Sequence, residues 1–386
     1  MEKEEIKKKK ITWDTVKGKL FSFVGTKGFH SFVSSILCVL IGVFVGFILM
    51  LIASPSDALE GLGVLLSKGA SSTARLARVI YKSTPMILSG LSIAFSFKLG
   101  LFNIGITGQL TFGAFIGVIL GISGYNRFFC IIVATISGGL VGLLTGFLKA
   151  KFNVNEVLSG IMLNRIIYYL IGFIGKVAIP SSYKDQSQSY SLKSLSGSAL
   201  LPSLGSNLDI GIIIAIMLVV TMWIVLNKTT LGFELKMSGS NKYAAQYVGI
   251  KQDKNIILAL TVSGALAGMC GYMIYAQPSN SGVKFMWDSS SNSLLSDGFT
   301  GISVALIAQN SPIGCIFSAM LLNYIDAAKT SLTVISSTYN SHCTELISAV
   351  IIYFASFASF FNMIFAKVHE KLSGVLLFER RVKNVK

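Results

Sequence analysis

Long uncharged apolar runs dominate the pattern of the chain. The clearest, Ser31 to Ala53, reads SFVSSILCVLIGVFVGFILMLIA and carries no charged residue. A helix needs roughly 20 such residues to cross a bilayer. The run is too long for the apolar region of a cleaved signal peptide, and no small-residue cleavage site follows it cleanly. Further runs at 85–98, 108–124, 128–148, 157–178, 208–226, 256–276 and 343–366 predict seven more crossings. A last apolar stretch, 300–327, is interrupted at Asn310-Ser311-Pro312. Proline has no N–H to donate and steers the residue before it away from helix, so two half-helices are expected there. The fold class read from this pattern is an all-α polytopic membrane protein of about eight transmembrane helices plus broken half-helices.

Composition agrees. Hydrophobic residues make up 52% of the 386, and charged residues only 13%, against about 25% in ordinary soluble domains. That is too little charge to cover a water-exposed surface. The formal net charge of +16 would point to nucleic acid in a soluble protein. Here the basic residues cluster beside the spans, where they orient a membrane protein by holding its basic segments in the cytoplasm, so no nucleic-acid partner is expected. The five cysteines and three histidines are scattered, with no metal-ligand or disulfide spacing. No metal, no cofactor and no catalytic residue is expected.

Loop charge sets the expected topology. Lys3 and Lys7 to Lys10, then Lys149 and Lys151, then Lys228, Lys236, Lys242, Lys251 and Lys254, and finally Lys371, Arg380, Arg381, Lys383 and Lys386 all belong inside. The expected organisation is a cytoplasmic N-terminal segment, 1–30, a transmembrane domain, 31–366, and a cytoplasmic tail, 367–386. Residues 227–255 form a cytoplasmic loop within that domain, and the Ser-rich 180–207 is external. Ser54 to Lys82 should be external by count yet holds Lys68, Arg75, Arg78 and Lys82. Its pattern predicts an amphipathic helix at the interface.

The chain also reads as repeated. Glu156-Val-Leu-Ser-Gly-Ile-Met resembles Glu345-Leu-Ile-Ser-Ala-Val-Ile, and each follows a Gly-rich element. With the two Glu-led helices crossing in opposite directions in this topology, an inverted repeat is expected, a transporter signature; chance similarity between short apolar stretches is the competing reading. Transporters bind substrate where helices break near the midplane. Two segments fit: Phe102 to Gln109, with Asn103, Thr107 and Gln109 able to donate and accept hydrogen bonds, and Asp297 to Gly301, with Phe299, followed by Gln309. Amides flanked by aromatics suit a neutral polar ligand with a flat ring or several hydroxyls. The competing reading for the glycines is helix packing through small residues. Glu156 and Glu345 are candidates as intramembrane carboxylates, Glu156 for direct substrate contact; the competing reading is capping, since a carboxylate at a helix start meets the helix dipole favourably. Arg165, about two turns into the 157–178 span, is expected to pair with Glu156 or to face a cavity.

The loop Gly232 to Ile250 has a glycine near each end, Gly232 and Gly249, and a predicted short helix at Tyr243 to Val248. Glu234, Lys236, Gly239, Ala244 and Ala245 lie between those glycines, and an Ala-Ala face could seat in the groove of a partner.

Four stretches together resemble the nucleoside and simple-sugar branch of ABC importer permeases, related to the branched-chain amino acid and ribose permeases. They are Gly100-Leu-Phe-Asn-Ile-Gly-Ile-Thr-Gly-Gln109, Asn155-Glu-Val-Leu-Ser-Gly-Ile-Met-Leu-Asn164, Gly232-Phe-Glu-Leu-Lys with Ala244-Ala245 and Gly249-Ile250, and Asp297-Gly-Phe-Thr-Gly-Ile-Ser-Val-Ala-Leu306 with Ser311-Pro-Ile-Gly314. Residues 1–80 lie outside the resemblance. The first motif often has an acidic residue ahead of its Gln where Thr107 stands here, a departure that bears on substrate preference. The resemblance implies a nucleoside importer of the bacterial cell membrane with a second permease subunit, identical or homologous, an ABC ATPase seated on the 232–250 loop, and a substrate-binding lipoprotein. Asn164 joins the pathway candidates on its strength. The chain has no Gly-x-x-x-x-Gly-Lys-[Ser/Thr] phosphate loop, so ATP hydrolysis is expected on a partner. Sugars or nucleobases as cargo, and an ion-coupled secondary transporter, are the alternatives.

Overall fold

The structure, a computed structural model, describes residues 27–185, 188–192, 197–204, 208–278, 283–287, 294–335, 338–357, 360–361 and 363–364. The expected segment 1–30 lies outside these residues but for its last four, and the tail 367–386 lies wholly outside. In chain order the helices are α1 (Lys27–Ala53), α2 (Ala58–Ser67), α3 (Thr73–Phe97), α4 (Ile106–Ile122), α5 (Arg127–Phe152), α6 (Glu156–Val177), α7 (Gly211–Lys228), α8 (Thr230–Ser240), α9 (Lys242–Tyr247), α10 (Gln252–Ala276), α11 (Asp297–Ile307), α12 (Pro312–Ile335) and α13 (Ser341–Ala355). Two short antiparallel strands, Lys184–Asp185 and Gln188–Ser189, lie between α6 and α7.

Five of these helices are long and apolar enough to cross a membrane: α5, α6, α7, α10 and Val33–Ala53 of α1. The pair α11 and α12, bent by 119° at Ala308 to Ser311, makes a sixth if it counts as one broken span. The expected break at Pro312 is therefore present. Two of the remaining expected spans are shorter helices, α4 and His342–Ala355 of α13. The run at 85–98 is the second half of α3, whose start lies twelve residues earlier, at Thr73. The segment 54–82 is thus not one amphipathic helix. It divides into α2, packed on α12, and the first turns of α3. There Lys82 pairs with Asp326 of α12 at 3.5 Å and Arg75 donates to Ser331 at 3.1 Å, so these cations bind the protein itself.

Helix α10 is the hub, with α3, α4 and α5 packed along it. Where it crosses α5 the backbones nearly touch: a Cβ on Gly142 would fall 2.2 Å from the carbonyl oxygen of Leu260. In lipid there is no hydrophobic drive between helices, and close packing of small residues holds them instead.

Pro85 sits inside α3 and offers no N–H to the carbonyl of Tyr81 one turn back. The side chain of Gln277, just after α10, donates to that carbonyl at 3.0 Å and to Asp209 ahead of α7 at 3.2 Å. Three segments are tied together at the point where one helix has lost a bond.

Candidate functional site

Lys98 is the C-cap of helix α3, and Gly100 turns the chain with φ +78°. Residues 101–105 then run to the start of α4. Asn103 in this break is buried and faces Gln109 on α4. Its amide nitrogen donates to Gln109 Oε1 at 2.8 Å, and Gln109 Nε2 donates back to Asn103 Oδ1 at 3.2 Å. The same Asn103 nitrogen reaches Ser263 on α10 at 2.9 Å, and Ser263 is paired with Ser92 of α3. The two amides satisfy one another and pin the break to three helices.

The residue before α4 is Gly105, which has no side chain to cap the free N–H groups of the first turn. Asn164 of α6 supplies the cap from outside. Its Oδ1 accepts from Gly108 N at 2.9 Å, and its Nδ2 donates to Ile104 O at 3.1 Å. Close approach of α6 makes this possible, since a Cβ on Gly160 would lie 2.7 Å from Gly105 N.

The half-helix α11 lies against this assembly. A Cβ on Gly298 would meet Thr107 Cγ2 at 2.7 Å, and Ser89 of α3 donates to the Asp297 carbonyl at 3.0 Å. Thr107 Oγ1 is buried without a hydrogen-bond partner among the described residues. At the other end of α11, Gln309 and Asn310 take left-handed φ of +51° and +55° and turn the chain into α12. Phe299 points the other way and is 49% exposed. With Thr300 and Ser303 it lines a groove of about 650 Å³, closed on its far side by Tyr353 of α13 and Phe357 two residues beyond its end.

Asn103, Thr107, Gln109, Asn164 and Asp297 are therefore gathered around the first turns of α4 and α11, with Phe299 on the outer face of α11. Glu156 and Gln309 are elsewhere. Glu156 opens α6 and pairs with Lys149 at 2.9 Å, while its expected partner Arg165 is exposed. Gln309 belongs to the α11–α12 turn. Glu345 is exposed near the start of α13.

The loop between α7 and α10 holds two helices. Thr229 caps α8 by accepting from Gly232 N at 3.3 Å, and Gly232 packs on the end of α7, where its Cβ would lie 2.3 Å from Val225 O. Leu235 is buried with Leu99 and Leu101 of the α3–α4 break. A Cβ on Gly239 would sit 2.3 Å from Lys98 O. Glu234 is half-buried, and Lys236 donates to Asn227 at 2.8 Å. Asn241 caps α9, accepting from Tyr243 N and Ala244 N at 3.0 Å each. Gly249 ends the loop with φ +85°. Ala245 is fully buried inside the chain, so the outward face is not the Ala-Ala pair as such. It is Ala244 together with Tyr243, Tyr247 and Val248, which are 81%, 95% and 72% exposed.

Residues 75–356 match the family described as branched-chain amino acid transport system / permease component. The chain belongs to this family. This permease is 32% identical to the guanosine ABC transporter permease protein NupP of Bacillus subtilis (strain 168), over 87% of its own length and 96% of that protein's. It is 32% identical to the nucleoside ABC transporter permease protein NupB of Lactococcus lactis subsp. cremoris (strain MG1363), over 83% and 89%. It is 26% identical to NupC of the same strain, which carries the same description, over 67% and 82%. No solved structure matches the chain.

Sequence reasoning missed several residues of this permease. Tyr353 and Phe357, at i and i+4 on one face, carry the only signal that could have placed them beside Phe299. Tyr243 and Tyr247 repeat that spacing on α9. Ser92 and Ser263 had none, since an isolated serine in an apolar helix is ordinary.

Proposed function

We propose that this permease conducts nucleosides as one of two membrane subunits of an ATP-driven ABC importer in the bacterial cell membrane. The observation that carries the reading is the groove of Phe299, Thr300, Ser303, Tyr353 and Phe357 in a chain that matches permeases named for nucleosides almost end to end. Aromatic rings beside hydroxyls suit a flat base carrying a sugar. The groove is open on one side, and a second permease subunit would close it. The similarity of both NupB and NupC to this chain supports an unlike partner.

In this reading the lysine-rich loops and both termini face the cytoplasm, residues 31–366 form the membrane domain, and a separate ATPase binds the exposed face of α9. A binding lipoprotein delivers substrate on the opposite side. ATP-driven movement enters through α9 and α8 and reaches the α3–α4 break where Leu235 and Gly239 touch it. The Asn103–Gln109 pair and Asn164 hold that break together, Thr107 packs on Gly298 of α11, and Asp297 and Gln309 bound the half-helix that presents Phe299. Glu156, paired with Lys149, braces the start of α6.

The test is uptake of labelled guanosine and uridine by cells expressing the full transporter in a strain without other nucleoside uptake. Saturable, ATP-dependent uptake that nucleosides compete for and glucose does not is the expected result. Equal competition by glucose, or uptake by the reconstituted chain alone under an ion gradient, would overturn the reading.

A further inference from the structure

A cavity of about 900 Å³ opens between the last turn of α5, Lys242 and Gln246 of α9, and the first turns of α10. Its rim carries Lys151, Lys242, Lys251 and Lys254 against one carboxylate, Asp253. That carboxylate is already engaged by Lys151 at 3.5 Å. Helix α10 begins in the same rim with Lys251 as its N-cap residue and no side-chain cap, so its first-turn N–H groups add to the attraction for an anion. The side chain of Gln252 donates to the carbonyl of Lys242 and so fixes α9 against α10.

The floor differs in kind. Ile257, Leu258, Thr261 and Val262 form a half-buried apolar trough. From Lys254 to Val262 it follows α10 for about 12 Å at 1.5 Å per residue, along a helix apolar enough to cross the membrane. A free anion would use only the lysine rim. A ligand with an anionic head and an acyl chain would use rim and trough together.

We propose that this cavity binds an anionic phospholipid, the lysines holding its headgroup phosphate and the trough taking the start of an acyl chain. Basic pockets between transmembrane helices at a membrane surface are suited to anionic headgroups. The bound lipid would brace α9 along its Lys242 and Gln246 side, about 100° around the helix from its exposed tyrosines. The site stands apart from the nucleoside reading, since it involves neither the Phe299 groove nor the outward face of α9.

The experiment is native mass spectrometry of the full chain, purified with its associated subunits and titrated with phosphatidylglycerol or phosphatidylcholine. Phosphatidylglycerol should be retained preferentially. Lys251→Gln with Lys254→Gln should weaken that retention by at least about tenfold, and Lys251→Arg with Lys254→Arg should restore it. Thr261→Trp, which fills the trough and keeps the charge, should also weaken it. Equal retention of the two lipids, full retention by the glutamine variant, or displacement of phosphatidylglycerol by millimolar inorganic phosphate would overturn the proposal, the last by marking a free-anion site. ATPase co-purification read from the parent protein separates the two proposals: its absence with phosphatidylglycerol still retained preferentially would count against the docking reading alone.

Discussion

The carbonyl oxygen of Lys98 occupies the place where a side chain on Gly239 would begin, 2.3 Å from the position of its Cβ. Lys98 closes α3 at the broken segment, and Gly239 lies near the end of α8 in the loop proposed to meet the ATPase. The two elements touch backbone to backbone, and a contact that tight has no slack to absorb movement of α8.

Gly239→Val should therefore disturb transport more than assembly. Overpacking of this kind costs about 1–3 kcal/mol and pushes α8 off the break. Uptake is expected to fall at least about tenfold with membrane insertion and ATPase co-purification kept. Wild-type uptake rates in this variant would remove the α8 contact from the coupling path.

Tyr247 and Ala245 should separate docking from folding. Tyr247→Ser changes a side chain that touches almost nothing in the chain, so the melting temperature should hold while ATPase co-purification drops. Ala245→Arg forces a charge into a fully buried site. Burying an unpaired charge is costly enough that the protein should melt early whether or not the ATPase is present. Thermal unfolding followed by pull-down distinguishes the two outcomes.

Asn103 and Gln109 should behave as one unit. Removing either amide leaves the other buried with unpaired polar atoms, at about 1–3 kcal/mol. Asn103→Leu and Gln109→Leu alone should each lower stability, and together should cost less than the sum, with a coupling of about 1 kcal/mol or more. Additive effects would mean that the pair does not hold the break.

Phe299→Ala should raise the KM for nucleoside uptake several-fold with little change in thermal stability, because the ring is half exposed and supports no core. An unchanged KM, measured beside Tyr353→Ala in the same groove, would take the groove out of the substrate path.

Gln277→Leu tests the repair of the proline break. It strands the Tyr81 carbonyl and removes a donor from Asp209, so a loss of about 1–3 kcal/mol is expected. Restoring a helical N–H with Pro85→Ala in the same chain should recover part of it. A Gln277→Leu protein as stable as the parent would show that water serves these groups.

The sequence by itself determined that α1, α5, α6, α7 and α10 exist and roughly where they run, because a bilayer demands long uncharged helices and little else satisfies a backbone in lipid. It also determined the break before Pro312, since proline removes a donor wherever it stands, and the short helix α9. It did not determine which way side chains face. Ala245 and Ala244 are adjacent and alike, yet one is buried and the other exposed, and only the docking of α9 onto its own chain decides between them. Asn103 reads as a free hydrogen-bonding group until Gln109 is folded onto it, and Asn164 caps the start of α4, 56 residues back at Gly108, only because Gly105 and Gly160 let α6 approach. The start of α3 was hidden because Arg75, Arg78 and Lys82 break the apolar run while α12 and its Asp326 supply the environment that keeps the helix going. Burial in lipid is a property of a stretch of residues and can be read along the chain. Pairing is a property of two surfaces, and the second surface is supplied by tertiary structure.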